Sequence, residues 1–327
     1  MSTLSTAAAI YYRLRPLMPR RLQIALRRVR AQYLRPKVQD QWPILESAGE
    51  PPAGWTGWPD NKRFALVLSH DVEHAKGQSR SLQLMELEKA RGFRSSYNFV
   101  PERYTPDSHV HQVLQENDFE VAVHGLLHDG RLFDSEETFL ERSAKINQYI
   151  ESWQASGFCS PASHHNLDWM HVLDIAYDSS TFDTDPFEPQ TDGLKQIFPL
   201  WVPGINGRPG FVELPYTLAQ DHALYIIMQE KNSDIWKRKL EWIVEKGGMA
   251  HFITHPDYIY FGDGKQGLEE YDVALYLGFL EYIKTQYADQ YWLATPKEMA
   301  AFWKSWATSP KAGGRSNDQV RQTQLPT

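Results

Sequence analysis

Five side chains have the types and spacing for metal-assisted chemistry. Asp71 and Glu73 lie two apart in Ser69-His70-Asp71-Val72-Glu73, so in extended chain both carboxylates point the same way. Two like charges on one face are costly unless a cation sits nearby, and a divalent metal would supply one. His124 and His128 are four apart, a spacing expected to align them on one face of a helical turn and to suit a single zinc-like ion. Two histidines and one carboxylate leave a coordination position open for water, which a metal acidifies enough to attack a carbonyl near neutral pH. His255, in Thr254-His255-Pro256, is the fifth. The chain has 12 histidines, and the four-residue spacing recurs at His70/His74 and His251/His255. Spacing alone therefore singles out nothing; the placement of all five at strand ends does.

Those strands alternate with helices. Phe64–Ser69, Ser96–Val100, Phe119–Val123 and Met249–Thr254 read as strands, with shorter ones near Phe158, Tyr177, Phe198 and Val212 and at 291–294. Helical spacing covers Leu82–Ala90, His109–Gln115, 135–155, Asp234–Lys246, 269–286 and 296–306. Repeated units of this length imply an α/β fold with a parallel sheet, open or closed into a barrel. In such folds sites gather at the carboxyl ends of strands, where the Asp71, His124 and His255 segments would converge.

Domain organisation follows composition. Residues 1–47 read as a basic N-terminal extension, 48–62 as a Gly/Pro/Trp-rich linker, 63–307 as the α/β domain and 308–327 as a tail without apolar periodicity. Residues 1–37 hold nine basic side chains and no acidic one. Of 34 basic side chains in the chain, that leaves 25 against 41 acidic ones for the rest. An acidic body argues against nucleic acid as a partner. Leu22, Leu26, Val29 and Tyr33 recur at helical spacing among arginines, a basic amphipathic helix. Its apolar face would lie on an anionic membrane surface, through residues 11–37, or pack on the domain or a second subunit. The single cysteine, Cys159, excludes an internal disulfide framework and fits a reducing compartment. The start, Met1–Tyr12, lacks the charged n-region of a secretory signal. The expected location is cytoplasmic, with a peripheral position at the inner membrane face as the variant the basic helix suggests.

Residues 60 to 260 or so resemble the polysaccharide deacetylases of the NodB-homology type. SHDVE resembles the first motif in the variant where the metal-binding acid follows the first aspartate by two positions, which implies Asp71 as catalytic base and Glu73 as metal ligand. HGLLH resembles the paired-histidine motif and implies His124 and His128 as the other ligands. AYDSS is similar to the segment after the third motif, with Asp178 lining the groove. GGMAHFITHPD resembles the final motif, with His255 as general acid. The resemblance implies an irregular, incomplete TIM-like barrel. There are two departures. Gly125 stands where a small hydroxyl residue is usual. In GFCSPAS, similar to the third motif, Cys159 stands where an arginine usually holds the catalytic aspartate, and a thiol cannot donate a charge-assisted fork of hydrogen bonds. Cys159 and Pro161 from this motif join Asp178 as groove candidates, and Glu213, in a loop feeding a strand, is a further polar one.

The resemblance implies a metal-dependent hydrolase of non-peptide carbon–nitrogen bonds, removing the N-acetyl group of an amino sugar in a glycan or lipid-linked saccharide. A non-sugar amide or cyclic imide is the alternative substrate. A metal-binding barrel that has lost turnover and binds carbohydrate is the alternative from another class. Zinc is the expected ion; cobalt, nickel and iron suit the same ligands.

Overall fold

Phe64–Val72 (β1) is apolar from Phe64 to Leu68 and buried along its whole length, as expected of a central strand in a sheet covered on both faces. The structure, a computed structural model, describes residues 18–190 and 192–309. Among these, β1 pairs in parallel with three strands. Met249–Thr254 (β8) runs along one edge, Ala65 opposite Met249 through His70 opposite Thr254. On the other edge Tyr291–Leu293 (β9) takes the start of the strand and Ser96–Phe99 (β2) takes its end.

The sheet continues from β2 through Glu120–His124 (β3), Gly157–Cys159 (β4), Tyr177–Asp178 (β5) and Phe211–Glu213 (β7), all parallel. Leu200–Val202 (β6) closes that side antiparallel to β7. An isolated bridge from Leu218 to Phe252 brings the segment after β7 back to β8. The result is a curled, incomplete α/β barrel, as the family resemblance implies.

Helices cover the outside: Ala75–Lys89 (α2), Ser108–Glu116 (α3), Glu136–Ser152 (α4), Asp234–Lys246 (α6), Val273–Gln286 (α7) and Pro296–Ala307 (α8). Leu167–Met170 (α5) is a single turn. Sequence signals fix several ends. Ser135 caps α4 by accepting from the Thr138 N–H, Gly247 ends α6 in a left-handed conformation, and Thr295 and Glu298 form a capping box on α8.

Three differences from the sequence reading have local causes. Helix α2 begins at Ala75, about two turns before the apolar spacing at Leu82 becomes visible, because its first residues are polar or small. The strand expected near Phe198 lies at Leu200–Val202. The helix expected from 269 begins at Val273, where the Asp272 side chain accepts from the Ala274 N–H.

The basic segment forms the helix Arg20–Leu34 (α1), which rests on the body through Gln23, Ile24 and Ala31. Trp58, from the Gly/Pro/Trp-rich stretch, is buried among Trp55, Phe198 and Trp303, and its indole N–H donates to the Gly247 carbonyl at 2.8 Å. The tail read from 308 to 327 lies, from residue 310 on, outside the described residues. Among the described residues no helix is long and apolar enough to cross a membrane.

Candidate metal centre

At the end of β1 successive side chains part. His70 turns into the core, where Nδ1 meets Thr254 Oγ1 at 2.7 Å and Nε2 meets Glu88 Oε1 at 2.8 Å. Glu88 also accepts from Ser95 at 2.8 Å and from the Tyr276 hydroxyl. Asp71 turns the other way, toward β2 and β4, and Glu73 follows just past the strand. Alternation along an extended chain separates His70 from the two carboxylates.

Glu73 is held at both ends. Its N–H donates to Asp257 Oδ2 at 2.8 Å, and its Oε2 accepts from the Tyr258 hydroxyl at 2.7 Å. The other carboxylate oxygen lies 3.0 Å from His128 Nε2 and 4.0 Å from His255 Nε2. Burial alone would raise the Glu73 carboxyl, but His128 and His255 beside it hold it well below the usual range.

His124 ends β3, and Nδ1 donates to the main-chain oxygen of Cys159 at 3.0 Å. The four residues to His128 do not form the helical turn expected of their spacing. Gly125 and His128 both adopt left-handed conformations, φ 62° and 53°, and this double bend brings the two imidazoles to 5.2 Å between centroids. A Cβ on Gly125 would sit 2.7 Å from Pro161 Cδ, so glycine is what the bend admits.

The ligand atoms of Glu73, His124 and His128 all lie within 4.8 Å of one another, and their chemistry fits a metal. A carbonyl only accepts, so His124 carries its proton on Nδ1 and presents a lone pair at Nε2, 3.8 Å from Asp71 Oδ2. Burial pushes His124 down to about 4, which keeps it neutral. A lone pair facing carboxylates is unfavourable until a cation lies between them. Asp71, His124 and Cys159 form a second grouping of the same reach. Burial, with Asp71 and Asp178 adding to it, pushes the Cys159 thiol well up, so a metal in this grouping would have to displace its proton.

Asp71 and His255 flank the donor set. Asp71 Oδ1 accepts from Asn98 Nδ2 at 2.7 Å, its parallel partner on β2, and Oδ2 faces Cys159 Sγ at 3.7 Å. Among the described residues the side chains that hydrogen-bond Asp71 are Asn98 and Cys159, and neither carries the charge of an arginine. His255 is gripped twice by Asp221: its N–H donates to Oδ2 at 2.8 Å and Nδ1 to Oδ1 at 2.6 Å. Tyr271 also donates to Asp221, at 3.0 Å. Burial works against a charge on His255, but Asp221 and the carboxylates of Glu73 and Asp71 raise it to about 10. The imidazole therefore favours its protonated form, with Nε2 turned toward Glu73.

The other residues proposed from sequence are spread around this centre. Pro161 lines a cleft together with Gly125, His128, Ser160 and His164. Asp178 and Glu213 are register partners on β5 and β7, fully buried near Cys159. Burial raises both carboxyls, Glu213 well above its usual range beside Asp178.

Asn98, Asp221, Asp257 and Tyr258 were not singled out from sequence. Asn98 had a signal, a polar residue between Tyr97 and Phe99 in an apolar strand. Tyr258 and Asp257 follow His255 within three residues. Asp221 had none, since it caps a six-residue π-helical turn, His222–Ile227, that carries no periodic pattern.

No family model matches the chain, and no curated protein matches it significantly. Solved structures do. PuuE allantoinase superposes with a TM-score of 0.60 at 16% identity, covering 82% of this chain and 97% of that one. A Pseudomonas aeruginosa protein described as a polysaccharide deacetylase gives 0.60 at 16%, covering 78% and 95%. A Mycobacterium smegmatis protein of the same description gives 0.59 at 16%, covering 81% and 99%. The fold is thus that of the NodB-homology polysaccharide deacetylases.

Proposed function

We propose that the protein is a metal-dependent hydrolase of non-peptide carbon–nitrogen bonds that removes the N-acetyl group of an amino sugar. The observation that carries this reading is the close set of Glu73, His124 and His128 with Asp71 on one side and His255 on the other. Glu73, His124 and His128 would hold a divalent ion, which would supply a Lewis acid for the carbonyl and acidify water. Asp71, oriented by Asn98, accepts the proton of the attacking water at its carboxylate. His255, held protonated by Asp221, gives the Nε2 proton to the departing nitrogen. Proton transfers of this kind are each worth roughly 10²- to 10⁴-fold. The fold likeness to proteins described as deacetylases and as an allantoinase supports the reaction class and leaves sugar and non-sugar amides as the substrates to compare.

A second reading, a metal-binding barrel without turnover, is favoured by one feature. The groups in contact with Asp71 Oδ2 are the Cys159 thiol and the His124 imidazole, where the resemblance would place an arginine fork. The deciding experiment is metal analysis followed by assay on N-acetylated sugars and cyclic ureides. About one equivalent of metal with turnover that Asp71→Asn abolishes supports the hydrolase. Metal without turnover on any substrate supports the second reading, and no metal after reloading overturns both.

A further inference from the structure

The residues that give α1 its amphipathic pattern are not the ones that hold it to the domain. Leu22, Leu26, Val29 and Tyr33 are 46%, 43%, 64% and 64% exposed, while Ile24 and Ala31 pack inward. Four arginines clamp the helix from its sides. Arg20 pairs with Glu269, Arg28 Nε donates to the Ile226 carbonyl at 3.0 Å, Arg30 to that of Phe187 at 3.1 Å, and Arg35 pairs with Glu230 at 2.5 Å. The outer face is therefore a fixed apolar stripe over three turns, flanked by exposed Arg21, Arg30 and Lys37.

We propose that this face docks on an anionic lipid bilayer. A convex helix with an apolar stripe and basic flanks sinks its side chains to the acyl boundary while the cations meet lipid phosphates. Residues 1–37 hold no acidic side chain, so a symmetric contact of α1 with its own copy would set arginine against arginine.

The helix also adjoins the centre. Ile226, which accepts from Arg28, lies in the π-helical turn capped by Asp221, the residue that grips His255. Docking would bring a surface-bound substrate to that side of the barrel, a lipid-linked saccharide in the reading above. The docking itself does not depend on that reading.

The test is sedimentation of the full-length protein with phosphatidylcholine vesicles, with and without phosphatidylglycerol, for wild type and Leu26→Gln/Val29→Gln. Both positions are exposed, so matching melting curves will confirm that the variant is folded. At least about 10-fold tighter binding to the anionic vesicles, weakened about 10-fold in the variant, is expected. Three results would overturn the proposal: no binding by wild type, equal binding by the variant (contact through another segment such as residues 1–17), or a wild-type dimer that the variant dissociates. Metal content, measured in parallel, reports on the hydrolase reading separately.

Discussion

His124 donates its Nδ1 proton to the carbonyl of Cys159 at 3.0 Å, and the two residues are also parallel register partners on β3 and β4. The main chain of the sheet, not another side chain, thus sets the tautomer that turns Nε2 toward Glu73 and Asp71. Replacing the Cys159 side chain leaves that hydrogen bond in place.

Metal should stabilise the fold through this prearranged set. Removing it with a chelator lowers the melting temperature of the wild type, the loss being about 2.7 kcal/mol if metal had been present at a hundredfold its Kd. In His124→Ala/His128→Ala the chelator should change nothing. Differential scanning calorimetry with and without zinc checks both arms.

Asp221→Asn should lower turnover by roughly 10²- to 10⁴-fold while metal content stays at the wild-type level. The carboxylate raises His255 to about 10, so its loss lets the imidazole give up its proton at lower pH. The alkaline limb of the kcat/KM profile therefore moves down in pH. An unmoved limb would remove His255 from the acid role.

His111 gives a pH effect on stability away from the centre. It is buried between Phe99 and Trp153, at 4.4 and 4.6 Å between centroids, and burial pushes it down to about 4. Between about pH 6.5 and 4 the unfolded chain binds a proton that the folded one refuses, so stability falls as the solution is acidified. The shift corresponds to a loss on the order of 3 kcal/mol. Urea titrations at pH 7 and pH 4.5 should show a smaller difference for His111→Phe than for wild type.

Gly125→Ala should lose stability by about 1 to 3 kcal/mol, since its φ is 62° and the added Cβ meets Pro161. Because the bend also places His128, zinc affinity should fall with it. Calorimetric titration with zinc measures that loss, and unchanged affinity would show that His128 is placed independently of the bend.

Much of this was legible before any fold was known. The five residues at strand ends converge because parallel strands carry their carboxyl ends to one side, a rule of topology that needs only the alternation of elements. The local path from His124 to His128 was not legible, since a four-residue spacing fits a helical turn and a double left-handed bend equally well. Nor were the residues that hold the centre. Asp221 meets His255 from 34 positions away, across a segment without helix or strand period. The apolar pattern of α1 foretold its helix, yet the packed face is Gln23, Ile24 and Ala31, because the arginines reach the body past that face.

The lone thiol of Cys159 lies 3.7 Å from Asp71, closed off from solvent at the floor of the centre. A reagent can reach it only when strands around the site part, so its rate of labelling is a clock for that opening. Metal that ties β1 to β3 should slow the clock without altering the unprotected thiol chemistry. The one cysteine therefore gives the barrel an internal stopwatch on its own breathing, readable with no substrate known.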